Sequence, residues 1–166
     1  MGEKKTTRSL YTAEERRRRD ASKWTIVQGI LAPVQFIVFL ASLGLIGWFF
    51  ATGEGLAAAQ LSVVIKTLIL YAIMITGAIW EKDVFGQYLF APAFYWEDVF
   101  SILVLALHTA FLWAYWGGGW TDAGLLILAL AAYLAYVINA GQFLWKLRQA
   151  RKEAPVPQAA IGEGAR

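Results

Sequence analysis

Four long apolar stretches, separated by short joints that are polar, glycine-rich or aromatic, dominate the chain. A helix needs about 20 mostly apolar residues to cross a bilayer, and each stretch is at least that long. The pattern therefore predicts an all-α, polytopic membrane protein with four transmembrane helices. The predicted spans are residues 24–51, 56–80, 97–116 and 123–147, and an interfacial or re-entrant aromatic segment lies between the second and the third.

The basic residues predict how the spans are oriented. Thirteen of the fifteen Lys and Arg residues lie before Trp24 or after Phe143, whereas the first and third joints contain none. Because cytoplasmic segments of membrane proteins are enriched in Lys and Arg, both termini and the second joint are expected in the cytoplasm. This divides the chain into a basic N-terminal segment (1–23), a four-helix transmembrane domain (24–147) and a disordered tail (148–166).

The N-terminal segment contains one local motif. Thr12 and Glu15 have the spacing of a capping box, and the basic run 16–19 follows. We expect a short helix that rests on anionic lipid headgroups. Nothing else in the chain supports binding to nucleic acid. The absence of cysteine from the sequence excludes disulfides, thiolate metal sites and a thiol nucleophile.

The second joint, residues 81–96, is too short to span twice and too apolar for a solvated loop. It must lie in the interface, or dip inward and turn at residues 91–93. One reading of its aromatic side chains is an interfacial belt, and the other is a wall for a flat, apolar, polycyclic ligand. The aromatic residues in and beside the joint are Trp80, Phe85, Tyr88, Phe90, Phe94, Tyr95, Trp96 and Phe100.

Carboxylates stand on both sides of this joint. Glu97 and Asp98 open the third span, where the helix dipole stabilises an anion, and helix capping alone would explain them. Glu81 follows the second span, at a helix C-terminus, where the dipole disfavours an anion. The alternative is that Glu81 only extends its side chain to the membrane interface. Because two carboxyl groups in opposite fields suit acid–base catalysis, we assign Glu81 as candidate acid and Glu97 or Asp98 as candidate base.

Other polar residues lie inside the spans. Lys66 is expected to extend to the periplasmic interface. His108, the only histidine, shares a face with Glu97 and Ser101, and it could bind a metal, relay protons or bond to a neighbouring helix. Four amide side chains are expected to form hydrogen bonds between helices: Gln28, Gln35, Asn139 and Gln142.

Several of these stretches resemble one family, the 2-vinyl bacteriochlorophyllide hydratases of bacteriochlorophyll synthesis. The resemblance covers about residues 11–151, and its most specific part runs from Trp80 to His108. The stretches that carry it are residues 76–82, 84–94, 96–100, 103–109, 136–140 and 142–144.

The resemblance implies a carbon–oxygen lyase acting as a hydratase in the bacterial inner, photosynthetic membrane. It would add water to the 3-vinyl group of chlorophyllide a or 3-vinyl bacteriochlorophyllide a, with no cofactor. Other pigment-biosynthesis enzymes are candidate partners. For such a magnesium chlorin we predict binding by aromatic residues of the joint, with His108 as candidate axial ligand and Lys82, Lys146 or Arg148 as candidate partner of the propionate. The predicted aromatic contacts are Trp80, Phe85, Tyr88, Phe94, Tyr95 and Trp96.

Two other functions fit parts of the pattern. A non-catalytic pigment carrier or assembly factor would use the same aromatic residues and His108 without needing an acid and a base. A small four-helix exporter would need an intramembrane acid, but the predicted spans hold no carboxylate away from their ends.

Overall fold

The structure, a computed structural model, describes residues 10–152 of the 166-residue chain. The described part is all-helical, as predicted. Most of the predicted tail, residues 153–166, lies outside it, as do residues 1–9. The five helices are α1 (Ala13–Ala21), α2 (Lys23–Thr52), α3 (Leu56–Phe85), α4 (Tyr95–Gly117) and α5 (Asp122–Lys152).

Helix α1 is the short basic helix that the sequence predicts. The Thr12 hydroxyl accepts a hydrogen bond from the Glu15 backbone N–H, and the Glu15 carboxylate accepts one from the Thr12 N–H at 2.7 Å. This reciprocal pair is the predicted capping box. α1 packs against α3, so it is held at the end of the bundle.

Helices α2 to α5 are each long and apolar enough to cross a membrane. In the most apolar window of α2 only 22% of the residues are buried, so most of its apolar side chains face outward. Outward apolar surface of this extent is stable in lipid and costly in water. The predicted spans are confirmed, with α3 and α5 each extending five residues further than expected.

The helices form two antiparallel hairpins, α2–α3 and α4–α5. Contacts are dense within each hairpin and sparser between the two, along a boundary that we call the seam. Short turns at 53–55 and 118–121 close the hairpins at one end, called the turn end here. Gly53 and Gly55 both have positive φ, which glycine adopts without strain.

Residues 86–94 connect α3 to α4 at the opposite end, called the joint end here. Gly86 ends α3 in the left-handed conformation, and its N–H binds the Lys82 carbonyl at 3.0 Å. The Phe94 N–H then bonds the Ala91 carbonyl at 2.8 Å. The predicted turn near residues 91–93 is confirmed.

Polar side chains lie between the helices as well. Gln28 Nε2 donates to Thr76 Oγ1 at 2.7 Å, and Asn139 Nδ2 donates to Ser101 Oγ at 2.8 Å, which confirms two of the predicted interhelical hydrogen bonds. The prediction for Lys66 was wrong. Its side chain is fully buried in the bundle, with Nζ 3.8 Å from the centroid of the Tyr136 ring, because α3 turns this residue toward α5 and not toward lipid.

Candidate active site

Two carboxyl groups meet at the joint end of the bundle. Glu81 lies one turn before the end of α3, and Asp98 lies in the first turn of α4. Both are nearly completely buried, and two adjacent residues of the connecting loop bind them, so the two carboxyl groups are neighbours. A hydrogen bond between two carboxyl groups requires a proton on one of them, since two carboxylates offer only acceptors. Such a pair can supply one acid and one base, because ionising both neighbouring buried carboxyl groups is costly.

Two successive backbone N–H groups of the connecting loop bind this pair. The Phe90 N–H donates to Asp98 Oδ2 at 2.7 Å, and the Ala91 N–H donates to Glu81 Oε2 at 3.3 Å. Phe90 has φ of 61°, which puts a non-glycine residue in the left-handed region. This backbone conformation directs consecutive N–H groups at one acidic site, in the manner of an anion-binding nest.

Glu97 has a different partner from its neighbour Asp98. Lys146 of α5 lies 2.6 Å from Glu97 Oε2, and its Nζ also donates to the Ala93 carbonyl. The Glu97 side chain is only 6% exposed and that of Lys146 19%. Of the two candidate bases, Asp98 is thus the one in contact with Glu81, while Glu97 forms an ion pair that ties α5 to the loop.

The aromatic residues of the joint divide into two groups. Phe94 is buried, and it packs against Trp80 and Phe85 at centroid distances of 5.6 and 5.8 Å. Tyr11 stacks on Phe85, and Phe143 stacks on Phe94. Burial raises the pKa of Tyr11 to about 12, against the opposing effect of Arg19, so its hydroxyl keeps its proton at neutral pH. This set packs α1, α3, α5 and the loop together.

The second aromatic group is exposed. Tyr88, Phe90, Tyr95 and Trp96 present large parts of their rings outward, with Trp96 66% exposed. Phe90 contacts Tyr95, and Tyr95 contacts Trp96, with centroids 5.7 and 5.5 Å apart. Phe90 also binds Asp98 through its backbone N–H, so this exposed aromatic group lies next to the acid pair.

The three basic residues predicted as candidate partners of the propionate lie in different environments at the joint end. Lys82 is exposed, and its Nζ donates to the Gly86 carbonyl at 2.8 Å and lies 5.4 Å from the centroid of the Tyr88 ring. Arg148 is exposed on α5, two residues beyond Lys146. Because Lys146 is bound to Glu97, Lys82 and Arg148 are the more accessible of the three cations.

His108 lies deeper in the bundle and is not beside the acid pair. It is fully buried, and its Nδ1 lies 2.8 Å from the Val104 carbonyl. A carbonyl only accepts, so Nδ1 carries the proton and the neutral ring presents an unprotonated Nε2. The predicted common face of α4 is confirmed, since Glu97, Ser101 and His108 are all buried.

Three features escaped sequence reasoning. The backbone conformation of Phe90 leaves no sequence signal, because phenylalanine is rarely found at positive φ. The pairing of Lys146 with Glu97 joins residues 49 positions apart, which no local pattern connects. The inward direction of Lys66 was accessible in principle, since an ionisable residue inside a span most often faces the bundle interior.

The family model for 2-vinyl bacteriochlorophyllide hydratase (BCHF) matches residues 11–149. A protein of Cereibacter sphaeroides named 2-vinyl bacteriochlorophyllide hydratase is 66% identical over 152 residues, which cover 91% of this chain and 94% of that protein. A protein of the same name from Rhodobacter capsulatus is 66% identical over 147 residues, covering 89% of this chain and 85% of that protein.

No solved structure matches the chain. The family match spans the five helices almost completely and includes the carboxyl pair, the loop that binds it and the exposed aromatic rings. With two relatives at 66% identity over most of their length, the assignment does not depend on any single motif. The chain belongs to the 2-vinyl bacteriochlorophyllide hydratase family.

Proposed function

We propose that this protein hydrates the 3-vinyl group of a magnesium chlorin, chlorophyllide a or 3-vinyl bacteriochlorophyllide a, to a 1-hydroxyethyl group in bacteriochlorophyll biosynthesis. The reaction is that of a hydro-lyase working in the direction of water addition. The observation that carries the proposal is the buried contact between Glu81 and Asp98, in a member of this family.

Glu81 is the acid of the pair, and Asp98 is the base. Asp98 accepts the shorter hydrogen bond, 2.7 Å from Phe90 against 3.3 Å from Ala91 to Glu81. It also lies at a helix N-terminus, where an anion is stabilised, whereas Glu81 lies near a helix C-terminus. Both effects favour an ionised Asp98 and a proton on Glu81.

The chemistry follows in three steps. The Glu81 proton forms a C–H bond with the terminal vinyl carbon, using the electron pair of the double bond, and the cation left on the adjacent carbon is delocalised into the macrocycle. A water oxygen bonds to that carbon while Asp98 takes a proton from the water. The proton then passes from Asp98 to Glu81 through their hydrogen bond, so the pair returns to its starting state without net exchange of protons with solvent.

The substrate is flat and apolar, and it would approach from the membrane. Tyr95 and Trp96 are exposed, and because their rings are perpendicular, one of them at a time can offer its face to a chlorin. Lys82 or Arg148 would pair with the propionate. His108, the candidate axial ligand to the substrate magnesium, lies about 15 Å from Asp98 along α4, further than a chlorin reaches from its vinyl group to its magnesium, so it could bind that magnesium only after the helices rearrange. His108 is enclosed between the hairpins, so ligation requires them to separate along the seam.

The joint end is assigned to the cytoplasmic side of the bacterial inner, photosynthetic membrane, with both termini on that side. The assignment rests on the concentration of Lys and Arg near the chain ends and on the second joint. The substrate's ionised propionate would then lie at the cytoplasmic surface of the membrane.

Incubation of membranes containing the protein with each vinyl chlorophyllide in ¹⁸O-labelled water tests the proposal. A hydratase produces a hydroxyethyl pigment with one labelled oxygen, and boiled membranes serve as the control. A pigment carrier would bind the chlorophyllide and leave its mass unchanged, which would refute the catalytic proposal.

A further inference from the structure

A cleft opens at the joint end between α1, the start of α2 and the end of α5. It encloses about 380 Å³, within the range of about 300–1,000 Å³ that small-ligand sites occupy. Neither Glu81 nor Asp98 lines it, so the cleft is separate from the candidate active site. Its lining residues come from three helices and include Arg16, Arg19, Asp20, Thr25, Leu147 and Arg151.

Positive charge is in excess in this cleft. Arg19 is paired with Asp20, since its Nη2 lies 2.7 Å from the carboxylate. Arg16 and Arg151 differ from Arg19, because no carboxylate within residues 10–152 forms an ion pair with either of them. Arginine stays charged at physiological pH. Two helices that are far apart in sequence thus each bring one uncompensated positive charge to the same cleft.

The donors in the cleft suit a phosphate group. A guanidinium presents a planar fork of N–H donors that matches two oxygens of a phosphate. The Thr25 hydroxyl is already engaged, since it donates to the Arg19 carbonyl at 2.6 Å and accepts from Trp80 Nε1 at 2.9 Å. An anion in the cleft would therefore be bound mainly by Arg16 and Arg151.

The surface of α5 beside the cleft suits acyl chains. Leu144, Leu147 and Arg151 follow one another at spacings of three and four residues, so they share one face of the helix. Leu144 is 69% exposed and Leu147 is 46% exposed, as expected for side chains that face lipid. This face of α5 therefore presents apolar side chains to the bilayer and an arginine at the end nearest the membrane surface.

We propose that this cleft binds the phosphate of one anionic glycerophospholipid through Arg16 and Arg151, and that the acyl chains lie along Leu144 and Leu147. The sequence predicts only a diffuse attraction between the basic helix and anionic headgroups, to which each nearby cation contributes by about the same amount. A discrete site instead depends on two particular arginines from two helices. Because α1 packs against α3 and Arg151 belongs to α5, the bound phosphate connects α1 to the last helix.

Native mass spectrometry of the full-length protein in neutral detergent, titrated with phosphatidylglycerol, tests the site. The wild type is expected to bind a first lipid more tightly than any further one. Arg16→Gln and Arg151→Gln should each weaken that first binding about tenfold or more, as for loss of a hydrogen bond between charged groups. Arg17→Gln and Lys152→Gln are the matched controls, since they remove the same charge from adjacent residues that do not line the cleft. Both controls should stay within about twofold of wild type.

Melting temperatures in the same detergent separate lipid binding from a structural effect. Without added lipid, Arg16→Gln and Arg151→Gln should melt close to wild type, because neither arginine forms an ion pair within the described residues. Phosphatidylglycerol should raise the melting temperature of the wild type and of both controls, and it should raise that of the two cleft variants much less. Phosphatidylcholine, which has no net charge, and inorganic phosphate, which has no acyl chain, should not reproduce the increase.

Unchanged lipid affinity in the two cleft variants overturns the inference, and so does equal weakening by all four substitutions, which would show diffuse attraction alone. Weaker lipid binding by cleft variants that already melt below wild type without lipid would count against it too, since the arginines would then support the fold. An equal stabilisation by inorganic phosphate would make the ligand a free anion and refute the lipid. None of these measurements involves pigment, so the inference and the proposed function are tested separately.

Discussion

At the scale of single residues, the site depends on the backbone conformation of Phe90, which residues other than glycine rarely adopt. Phe90 has positive φ, which costs a non-glycine residue about 1–3 kcal/mol, and this cost must be offset by the contacts that hold the loop. Its N–H and that of Ala91 bind the two carboxyl groups of the acid pair. The loop therefore fixes the relative position of Glu81 and Asp98.

Substitutions of Phe90 separate its backbone from its ring. Phe90→Gly and Phe90→Asn should retain substantial hydration activity, because both residues tolerate the left-handed region. Phe90→Val should lower kcat by about tenfold or more, since a branched side chain is strongly strained there. Initial hydration rates at matched protein levels give the comparison, and equal rates for the Val and Asn variants would argue against a positioning role.

The acid role of Glu81 has a direct test. Glu81→Gln should reduce the initial hydration rate about 100-fold or more, the usual contribution of a general acid. Asp83→Asn is the matched control, since Asp83 is exposed and accepts a hydrogen bond from Ser22 at 2.8 Å, away from the pair. Near-wild-type turnover of Glu81→Gln with normal protein levels would eliminate the role.

At the scale of elements, one ion pair connects the last helix to the joint. Lys146 of α5 holds both the Glu97 carboxylate and the Ala93 carbonyl, and it lies 5.3 Å from the centroid of the Phe94 ring. The sequence pattern predicted the helices but not this ion pair. Exclusion of water strengthens the attraction between the two charges but also costs their hydration, so the net effect depends on how α5 packs against the loop.

Removing one partner of the Lys146–Glu97 ion pair should destabilise the protein more than removing both. Lys146→Met leaves the Glu97 carboxylate buried without a cation, a loss of about 3–5 kcal/mol for a fully buried pair and less here, since Lys146 is partly exposed. The double variant Glu97→Gln/Lys146→Met should recover part of that loss. Thermal melting in detergent of the wild type, both single variants and the double variant gives the coupling, and strictly additive effects would contradict it.

At the scale of the whole molecule, the exterior is apolar, as expected for a protein surrounded by lipid. The two ends of the bundle carry different side chains. Exposed aromatic rings lie at both ends, Trp116 and Trp120 among them at the turn end, but the acid pair and the basic helix α1 lie at the joint end. Both ends of a membrane-spanning bundle adjoin lipid and water, so the acid pair is what distinguishes the joint end as the proposed site.

The orientation of the bundle is testable because the sequence has no cysteine. Single cysteines can replace Glu54, exposed at the turn end, and Gln87, exposed at the joint end. In intact cells a membrane-impermeant maleimide should label Glu54→Cys and spare Gln87→Cys, and inverted vesicles should reverse the result. Labelling of Gln87→Cys in intact cells would place the proposed site on the periplasmic side.

The sequence alone was enough to predict the number of spans, their approximate ends, the capping box and the meeting of Glu81 with the 97–98 acids at one end of the bundle. Each of these follows from local hydropathy or from chain connectivity, and both are visible in one dimension. Only the tertiary structure decided that Asp98 and not Glu97 contacts Glu81, and that Lys66 points inward.

The physical reason is that these helices are surrounded by lipid and not by water. A helix in water shows its inner face by an apolar stripe, whereas a helix in lipid is apolar on all sides, so its sequence does not reveal how it is rotated about its axis. That rotation is set by close packing and by hydrogen bonds to neighbouring helices. It decides which side chains enter the seam and which face the bilayer.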